Sequence, residues 1–226
     1  MAGSVGNITT DIIKDGLVFN MDAANRASTI PSTSTTEAFN TIDTAVSGSF
    51  INDTMYDSST ISPSYTFDGT GDYIDIGTIS SLNANTNFSI SLWFKENVRK
   101  TNGFMFSSGT GTSNDIAINA KNGNLNINVG GTRNVNITSY SSNVWYHVVL
   151  TVENTTAKVY LNNGSPTTAT VGSINSSSGN LAKIGDLSFV SGYYLNGNIG
   201  PIQIYNRALS ANEVLHNYNA LKGRFE

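Results

Sequence analysis

Cysteine is absent from this 226-residue chain. Without a thiol the protein can form neither a disulfide framework nor a thiolate metal site, so we expect packing alone to hold the fold. Basic residues are also few, since the chain carries only 12 Lys and Arg, unclustered, and a net charge of -4. Because nucleic acid and anionic membranes are recognised through clustered positive charge, the sequence predicts neither as a partner.

Long apolar runs are missing as well. The first residues, MAGSVGNITTDIIKDG, lack a positively charged start followed by an apolar stretch, and no segment reaches the length of a transmembrane helix. We therefore expect neither membrane anchoring nor export by a standard route.

Uncharged polar residues and glycine dominate what is present. Asn, Ser, Thr and Gly make up a little under half of the chain, whereas only 12% of the residues are charged. This composition is typical of many strands and turns with very little helix. Aromatic and β-branched residues recur at strand spacing along the chain, so we predict a polar arm over residues 1–15 and a single all-β domain over residues 16–226.

The clearest element is a long antiparallel hairpin between Asn143 and Gly164. Its first strand has bulky residues on both faces, which predicts a strand that is covered on both sides. Trp145 and His147 share one of these faces, and we interpret both as packing residues. The turn falls at residues 153–156, and the second strand ends at residues 162–164, where Asn and Gly tolerate a positive φ.

Further strands are predicted wherever apolar residues alternate between turn residues. They cover residues 17–21, 65–67, 73–76, 88–94, 103–107, 115–120, 125–129, 181–185 and 199–205. The Asn-Gly pair at 122–123 predicts a tight hairpin, and another turn is predicted at 196–197. Residues 26–63 offer at most one or two short strands. Ser210 and Glu213 form a capping box that predicts one short helix reaching Gly223.

Asparagines line one face of the hairpin around residues 122–123. The positions that point away from its apolar face, or repeat the pattern on the next strand, are Asn119, Asn124, Asn126, Asn128, Asn134 and Asn136. Two interpretations of this uncharged amide surface stay open. It is either a solvated sheet face or a surface that faces carbohydrate, since amides offer both donors and acceptors to hydroxyls.

Four segments together resemble the concanavalin A-like, laminin G-like superfamily. They are YTFDGTGDYIDIG, FSISLWFK, NVWYHVVLTVENTTAKVYLNNG and AKIGDLSFVSGYYLNGNIGPIQIYNRALSANEV, and the resemblance extends over residues 16–218. It implies an all-β fold, a two-sheet antiparallel jelly-roll sandwich with one short C-terminal helix, used as a glycan- or protein-binding module. The segment IYNRALSANEVLHNYNALKGRF is similar to versions of this domain in tailed-phage virion proteins.

Some members of this superfamily hydrolyse polysaccharides with a pair of carboxylates on one strand. No glutamate of this chain has an acidic partner at strand spacing; the five are Glu37, Glu96, Glu153, Glu213 and Glu226. His147 and His216 have neither a cysteine nor a nearby acidic residue with which to build a nucleophilic site. We therefore expect a protein that is not an enzyme.

Calcium has two candidate places in the sequence. Asn114, Asp115 and Asp186 resemble calcium ligands of the related pentraxins in position, but three oxygens are too few for this ion. The three aspartates between residues 68 and 75 are explained more simply as turn formers that bond backbone amides. We predict no metal and no cofactor.

The resemblance also implies where a ligand binds. It places on neighbouring loops the residues Asn114, Asp115, Asp186, Tyr193 and Tyr194, which together are the predicted ligand-binding site. Paired tyrosines on a loop bounded by glycine can stack on sugar rings. Packing of one tyrosine under the sheet edge is an equally good explanation of the pair.

Two functional classes remain. In the first, the protein is a non-catalytic surface component of a virion, such as a capsid decoration, head-fibre or tail-associated protein, with glycan adhesion as a secondary role. Its partners are then other virion proteins, and homo-oligomerisation stays open. In the second, it is a free carbohydrate-binding module or lectin. We prefer the first, because a protein without an export signal fits a particle assembled in the host cytoplasm and exposed outside the cell after lysis.

Overall fold

The computed structural model describes residues 11–25, 27–28, 36–43, 45–57, 62–82, 86–111, 115–174 and 181–226. Within these ranges the chain forms sixteen strands, one α-helix and two short 3₁₀ helices. The strands, numbered in chain order, make two antiparallel sheets that enclose one apolar core. This is the two-sheet antiparallel jelly-roll sandwich with a single short C-terminal helix that the resemblance implies.

Each sheet has eight strands. The first contains, in spatial order, β14 (Thr167–Thr170), β13 (Thr156–Leu161), β12 (Tyr146–Glu153), β7 (Asn87–Glu96), β16 (Asn196–Tyr205), β5 (Ser64–Asp68) and β4 (Met55–Asp57), with β1 (Leu17–Met21) also paired to β16. The second runs in the order β11 (Thr132–Ser139), β10 (Asn124–Val129), β9 (Ile116–Lys121), β8 (Gly103–Ser108), β15 (Leu181–Ile184), β6 (Tyr73–Thr78), β3 (Ser47–Ile51) and β2 (Glu37–Phe39). The helix is α1 (Ala211–Leu221), and the 3₁₀ turns are Ser80–Leu82 and Lys222–Arg224.

The core forms because apolar residues alternate along the strands. The residues that the sequence assigns to one face of β9 and β10 are all buried in it, namely Ile116, Ile118, Leu125, Ile127 and Val129. On the facing sheet, Val148, Leu150 and Val152 of β12 are buried in the same core. Burying each such side chain contributes about 1.5–3 kcal/mol, which gives a chain without disulfides its main stabilisation.

Asparagines at positive φ make the tight turns. Asn122 and Gly123 have φ angles of 51° and 77° and join β9 to β10, as the Asn-Gly pair predicts. Asn154, with φ of 55°, lies in the two-residue turn between β12 and β13. Both predicted hairpins are confirmed.

The predicted strand-turn-strand unit around residues 65–76 links the two sheets. β5 lies in the first sheet and β6 in the second, so the turn between them carries the chain from one sheet to the other. The Asp72 carboxylate fixes this turn, because it accepts the backbone N–H of Asp68 at 2.8 Å and that of Asp53 at 3.0 Å. Asp68 and Asp75 each accept the backbone N–H two residues further along the chain. Asp68 and Asp72 are turn formers, as predicted, whereas Asp75 lies within β6 and bonds a backbone amide of its own strand.

The prediction of at most two strands in residues 26–63 is wrong, since this segment contains β2, β3 and β4. Two of these strands, β2 and β4, end their sheets. An edge strand pairs with one neighbour and is short, so its sequence carries little of the apolar alternation that identifies an inner strand.

The turn predicted at residues 196–197 is also wrong, because β16 begins at Asn196. Gly197 has a different reason to be glycine: a Cβ at this position would lie 2.2 Å from the carbonyl oxygen of Lys95 on β7. The close approach of the two strands requires the missing side chain.

Helix α1 begins where the capping box predicts. The Ser210 side chain accepts the N–H of Glu213, and the Glu213 carboxylate accepts the N–H of Ser210 at 2.8 Å. A hydrogen bond from Arg207 lowers the pKa of Glu213 to about 2. No helix within the described ranges is long and apolar enough to cross a membrane.

Of the predicted arm, residues 1–15, the structure describes residues 11–15. They contact the helix and β16: the Ile13 N–H donates to Asn217 Oδ1 at 2.8 Å, and the Tyr205 hydroxyl donates to the Ile13 carbonyl at 3.0 Å. Residues 1–10 lie outside the described residues. The division into an arm and a single domain stays a prediction.

A layer of aromatic rings lies between the first sheet and the end of the chain. Trp93 stacks on His147 with ring centroids 5.1 Å apart, and on Tyr218 of α1 at 5.7 Å. His147 is buried, so its interpretation as a packing residue is confirmed. Trp145 lies one residue before β12 and is only half-buried, with its ring 4.7 Å from that of Phe225.

Candidate functional site

The side of the second sheet that faces away from the core carries a row of asparagines. We call it the amide face, formed by Asn119 of β9, Asn126 and Asn128 of β10, and Asn134 and Asn136 of β11. Strand register places them side by side, since Asn126 pairs with Asn119 on one neighbouring strand and with Asn136 on the other. The amide face is the surface for which the sequence leaves two interpretations open.

The interpretation as a solvated face is wrong for the three inner amides. Asn119, Asn126 and Asn128 are 1%, 4% and 7% exposed, whereas the two amides of β11 are exposed. Hydrogen bonds join neighbouring residues across the face. Lys121 Nζ donates to Asn134 Oδ1 at 2.8 Å, and Asn128 Oδ1 accepts the Asn134 N–H at the same distance. The accessible edge of the amide face therefore lies on β11.

A loop beside the amide face is held by one buried carboxylate. We call it the covering loop, residues 185–195 between β15 and β16. Asp186 is fully buried, and its carboxylate accepts the backbone N–H of Tyr193 and a hydrogen bond from Lys183 Nζ, both at 3.2 Å. Ser107 of β8 donates to the Asp186 carbonyl and accepts the N–H of Ser188. Asp186 therefore anchors both ends of the covering loop.

The covering loop places apolar side chains against the outer side of the sheet. Leu187 packs against Phe104 of β8 and Ala117 of β9. The Tyr193 ring meets the Phe104 ring edge-on, with centroids 5.9 Å apart, and is 36% exposed. Because Phe104 pairs in register with Asn119, the Tyr193 ring lies at the border of the amide face.

A second border of the amide face is formed by Arg133 of β11. Its guanidinium lies over the Phe189 ring of the covering loop, 5.7 Å from the centroid. The same group forms an ion pair with the Asp115 carboxylate at 3.0 Å and donates to the Gly111 carbonyl at 2.8 Å. Asp115 is 1% exposed, so it supports the arginine from inside the protein.

Four of the five predicted site residues lie in the covering loop or contact it through Arg133. Asp186 and Tyr193 are hydrogen-bonded, and Tyr194, half-buried, follows in the same loop. Asp115 reaches this loop through its ion pair with Arg133. Asn114 lies outside the described residues. Both carboxylates are buried and ion-paired, whereas Tyr193 is open to solvent, and contact of any of these residues with a ligand stays a prediction.

A sequence model of the concanavalin A-like lectin/glucanases superfamily matches residues 68–215, more than half of the chain. The chain belongs to this superfamily. The resemblance stated from the four sequence segments is thereby confirmed. No curated protein sequence matches the chain at a significant level.

Solved structures share the concanavalin A-like fold of this chain. Trypanosoma rangeli sialidase in complex with sialic acid matches with a TM-score of 0.70 at 14% identity, over 95% of this chain and 34% of the sialidase chain. Domain 4 of AbnA, an extracellular arabinanase from Geobacillus stearothermophilus, in complex with arabinotriose, matches with a TM-score of 0.68 at 18% identity, over 90% of this chain and 98% of that domain. Likeness at such identities shows the fold alone, and this chain spans only about a third of the sialidase.

The name of the concanavalin A-like superfamily covers both lectins and glucanases. Hydrolysis of a glycan needs carboxylates that can reach it, so the surroundings of the glutamate on β7 are informative. Glu96 of β7 is fully buried, accepting a hydrogen bond from the Tyr140 hydroxyl at 2.9 Å and one from the Lys100 N–H at 3.1 Å. Burial and this carboxylate raise the pKa of Tyr140. Glu96 thus holds the loop after β7.

Within the described ranges no group of three or more His, Asp or Glu side chains could hold a metal ion.

Sequence reasoning missed three residues that shape this concanavalin A-like surface: Phe104, Arg133 and Phe189. A signal existed for Phe104, because strand alternation from the core residue Met105 puts it on the same side as Asn119. No sequence signal pairs Arg133 with Phe189, since their contact depends on how the covering loop crosses the sheet.

Proposed function

We propose that this protein is a non-catalytic glycan-binding domain whose ligand lies on the amide face and against the covering loop. The observation that carries the proposal is the exposed ring of Tyr193 on the same sheet face as the accessible amides of β11, Asn134 and Asn136. A sugar ring needs both features. Its C–H face packs on an aromatic ring, and its hydroxyls exchange hydrogen bonds with amides, which donate and accept.

The support beneath Tyr193 favours binding. Its N–H is held by Asp186, and its carbonyl accepts the N–H of Phe104 at 3.0 Å. A ring presented on a fixed backbone loses little conformational entropy when a ligand arrives. In this proposal Tyr193 and Tyr194 contact the glycan, and Asp115 and Asp186 keep the surface in shape from below. Asn114, adjacent to Asp115 in the sequence, stays a predicted contact.

Two structures of the same fold support a sugar as ligand. The sialidase structure contains sialic acid, and the AbnA domain structure contains arabinotriose. The second is the more relevant support, because that domain matches this chain over nearly its full length. Arabinotriose and sialic acid are accordingly the first probes to use.

The test is a titration of ¹⁵N-labelled protein with arabinotriose, sialic acid and a panel of neutral oligosaccharides. At least one sugar is expected to shift backbone signals of Tyr193, Asn134 and Asn136. Tyr193→Ala should then weaken binding at least about tenfold, equivalent to about 1.4 kcal/mol. Leu215→Ala, which trims an exposed residue of α1 over the other sheet, is the control and should bind normally. Absence of any shift on the amide face at about 10 mM sugar would contradict the proposal, since even weak binding lies in the millimolar range.

We further propose that the domain is displayed on a virion as a capsid decoration, head-fibre or tail-associated protein, with other virion proteins as partners. The support for this role is the resemblance to tailed-phage virion proteins that the sequence of residues 204–225 suggests. A surface rich in uncharged amides and hydroxyls adds to it, since such a surface stays solvated outside the cell without attracting charged material. The alternative, a free carbohydrate-binding module or lectin, has the same surface.

Purification of intact particles separates these alternatives. In the virion role the chain co-purifies with particles, and a chain lacking residues 1–10 stays folded but fails to be incorporated, because the polar arm serves as the tether. Incorporation of the shortened chain at full occupancy would remove the arm as the tether. If the intact chain never accompanies particles, the lectin alternative takes first place.

A further inference from the structure

A cavity of about 650 Å³ lies on the opposite side of the sandwich from the amide face. Its walls come from distant parts of the chain: the segment before β1, β1 itself, the loop at residues 41–42, β16 and the end of α1. Its volume falls within the range of about 300–1,000 Å³ that is typical of small-molecule sites. None of the residues of the predicted ligand-binding site contributes to it.

One part of the cavity wall is apolar. It includes Leu17 of β1, Ala220 and Leu221 of α1, and Ile42, which is 48% exposed. A large aliphatic side chain that stays this exposed at the wall of a concave site offers a surface on which an apolar part of a ligand can pack.

The opposite part of the wall consists of amides and a hydroxyl. Asn20 Nδ2 donates to Thr41 Oγ1 at 2.8 Å, and Asn20 Oδ1 accepts a long hydrogen bond of 3.4 Å from Gln203 Nε2. Gln203 is 1% exposed, and its Oε1 has no hydrogen-bond partner within the described ranges. The Nε of Arg224 likewise has no partner there. Both atoms are shielded from solvent, so they become an acceptor and a donor for a ligand only when the side chains of the wall shift.

Charges in the wall are balanced. Both guanidinium ends of Arg224 bond the two carboxylate oxygens of Asp22, at 2.8 and 2.9 Å. Asp11 pairs with Lys14 at 2.8 Å, which lowers the pKa of the Asp11 carboxyl. An anion entering the cavity finds both positive side chains already paired, and a cation finds both carboxylates already paired. A neutral ligand carries no such penalty.

We propose that this cavity binds a neutral sugar residue. A sugar ring has C–H faces that suit the wall formed by Leu17 and Ile42. Its hydroxyls both donate and accept, so they can serve the Gln203 oxygen and the Arg224 Nε–H after a small side-chain adjustment. A carboxylate or phosphate only accepts, and an ammonium only donates. The inference does not depend on glycan binding at the amide face.

The test uses glucose, galactose and N-acetylglucosamine as neutral probes, with N-acetylneuraminic acid and phosphate as anionic ones. In ¹⁵N–¹H spectra at least one neutral probe is expected to shift the side-chain signals of Arg224 Nε–H and Gln203 Nε2. The anionic probes should leave them in place. No shift with any neutral probe, or equal shifts with the anions, overturns the proposal.

Substitution at α1 provides matched variants. Ala220→Phe fills the cavity without removing a hydrogen bond and should weaken binding at least tenfold. Asn219→Phe places the same ring on the neighbouring exposed position, outside the cavity wall, and should bind as the natural chain does. If the Ala220→Phe protein folds and its affinity for the neutral sugar is unchanged, the proposal is wrong. Gln203→Leu adds a second test: it nearly conserves volume, removes the Oε1 acceptor and the Nε2 donor to Asn20, and should also weaken binding.

The two proposed sugar sites can be tested independently of each other. Tyr193→Ala should leave the Arg224 and Gln203 shifts unchanged, and Ala220→Phe should leave shifts on the amide face unchanged. Cavity shifts without amide-face shifts support the cavity alone. If Tyr193→Ala abolishes the Arg224 shifts, the cavity is not an independent site and this inference is wrong.

Discussion

Trp93 and Phe225 stack with ring centroids 4.5 Å apart and planes inclined by 19°. Trp93 belongs to the central strand β7, and Phe225 follows the 3₁₀ turn after α1. Phe225 also contacts Trp145, so one ring closes the gap between the two tryptophans. Aromatic pairs of this kind contribute about 0.5–1.5 kcal/mol beyond the area they bury, which fastens the end of the chain to the first sheet.

Phe225→Ala should therefore destabilise the domain by about 3 kcal/mol, at the lower end of the cost of removing a buried phenylalanine. Urea unfolding measures this loss. The same change opens the faces of Trp93 and Trp145, so quenching of tryptophan fluorescence by acrylamide should rise. Leu215→Ala, on the exposed side of α1, is the control and should change stability by less than about 0.5 kcal/mol. Equal stability of the two variants would show that the stack does not hold the helix.

The two tryptophans should differ in importance. Trp93 is 1% exposed at the centre of the aromatic layer, whereas Trp145 is half-buried before β12. Trp93→Ala is expected to cost about 3–5 kcal/mol, as for other buried large residues, and Trp145→Ala clearly less. Thermal unfolding of both variants tests the order. A larger loss for Trp145→Ala would mean that the outer ring, and not the inner one, supports the sheet.

His147 gives the fold a dependence on acidic pH. Burial lowers its pKa from 6.5 to about 3, and its Nε2 lies 2.9 Å from Ser91 Oγ. In the unfolded chain the imidazole takes up a proton below pH 6.5, whereas in the folded protein it does so only near pH 3. Its contribution to stability is therefore complete above pH 6.5 and is lost as the pH falls towards 3, by up to about 1.4 kcal/mol per pH unit.

Unfolding free energies at pH 7, 5.5 and 4 measure this dependence. His147→Gln keeps a side chain that can bond Ser91 but does not titrate, so its stability should vary less over this range. His216→Gln is the matched control, because it removes the chain's second histidine from the surface helix. The prediction is wrong if the natural chain and His147→Gln lose the same stability between pH 7 and pH 4.

Most of the fold follows from local sequence patterns, and what is missed depends on distant partners. Val148 and Leu150 alternate with His147 and Val149, which predicts a covered strand without knowledge of its neighbours. The Asn196-Gly197 pair has the composition of a turn, but the neighbouring strand β7 requires glycine there. Local composition cannot show that Lys95 passes so close.

The candidate site likewise has features that the local sequence predicts and features that depend on tertiary contacts. The outward direction of Asn119 follows from alternation along β9, but its burial depends on residues that fold over it. The resemblance places Asp186 and Tyr193 on neighbouring loops, whereas the hydrogen bond that makes the aspartate an anchor is visible only in the structure. The direction of a side chain follows from the local sequence, whereas its burial depends on residues that are distant in the sequence.

The role of Asp186 can be decided with two substitutions of one residue. Its carboxylate holds the Tyr193 N–H through Oδ1 and Lys183 through Oδ2. Asp186→Asn keeps an oxygen for the Tyr193 N–H but loses the ion pair. Asp186→Ala loses both and leaves a nearly buried lysine without its partner, for which the cost is about 3–5 kcal/mol.

Hydrogen exchange of residues 187–194 should consequently be faster in Asp186→Ala, while Asp186→Asn should stay closer to the natural chain. Glycan affinity then shows whether Asp186 only supports the covering loop or contacts the glycan directly. If Asp186 only anchors the covering loop, Asp186→Asn retains most of the affinity and Asp186→Ala loses it together with the order of the loop. If Asp186 contacts the glycan itself, Asp186→Asn loses affinity while loop exchange stays slow, and the assignment of this aspartate as an anchor beneath Tyr193 has to be abandoned.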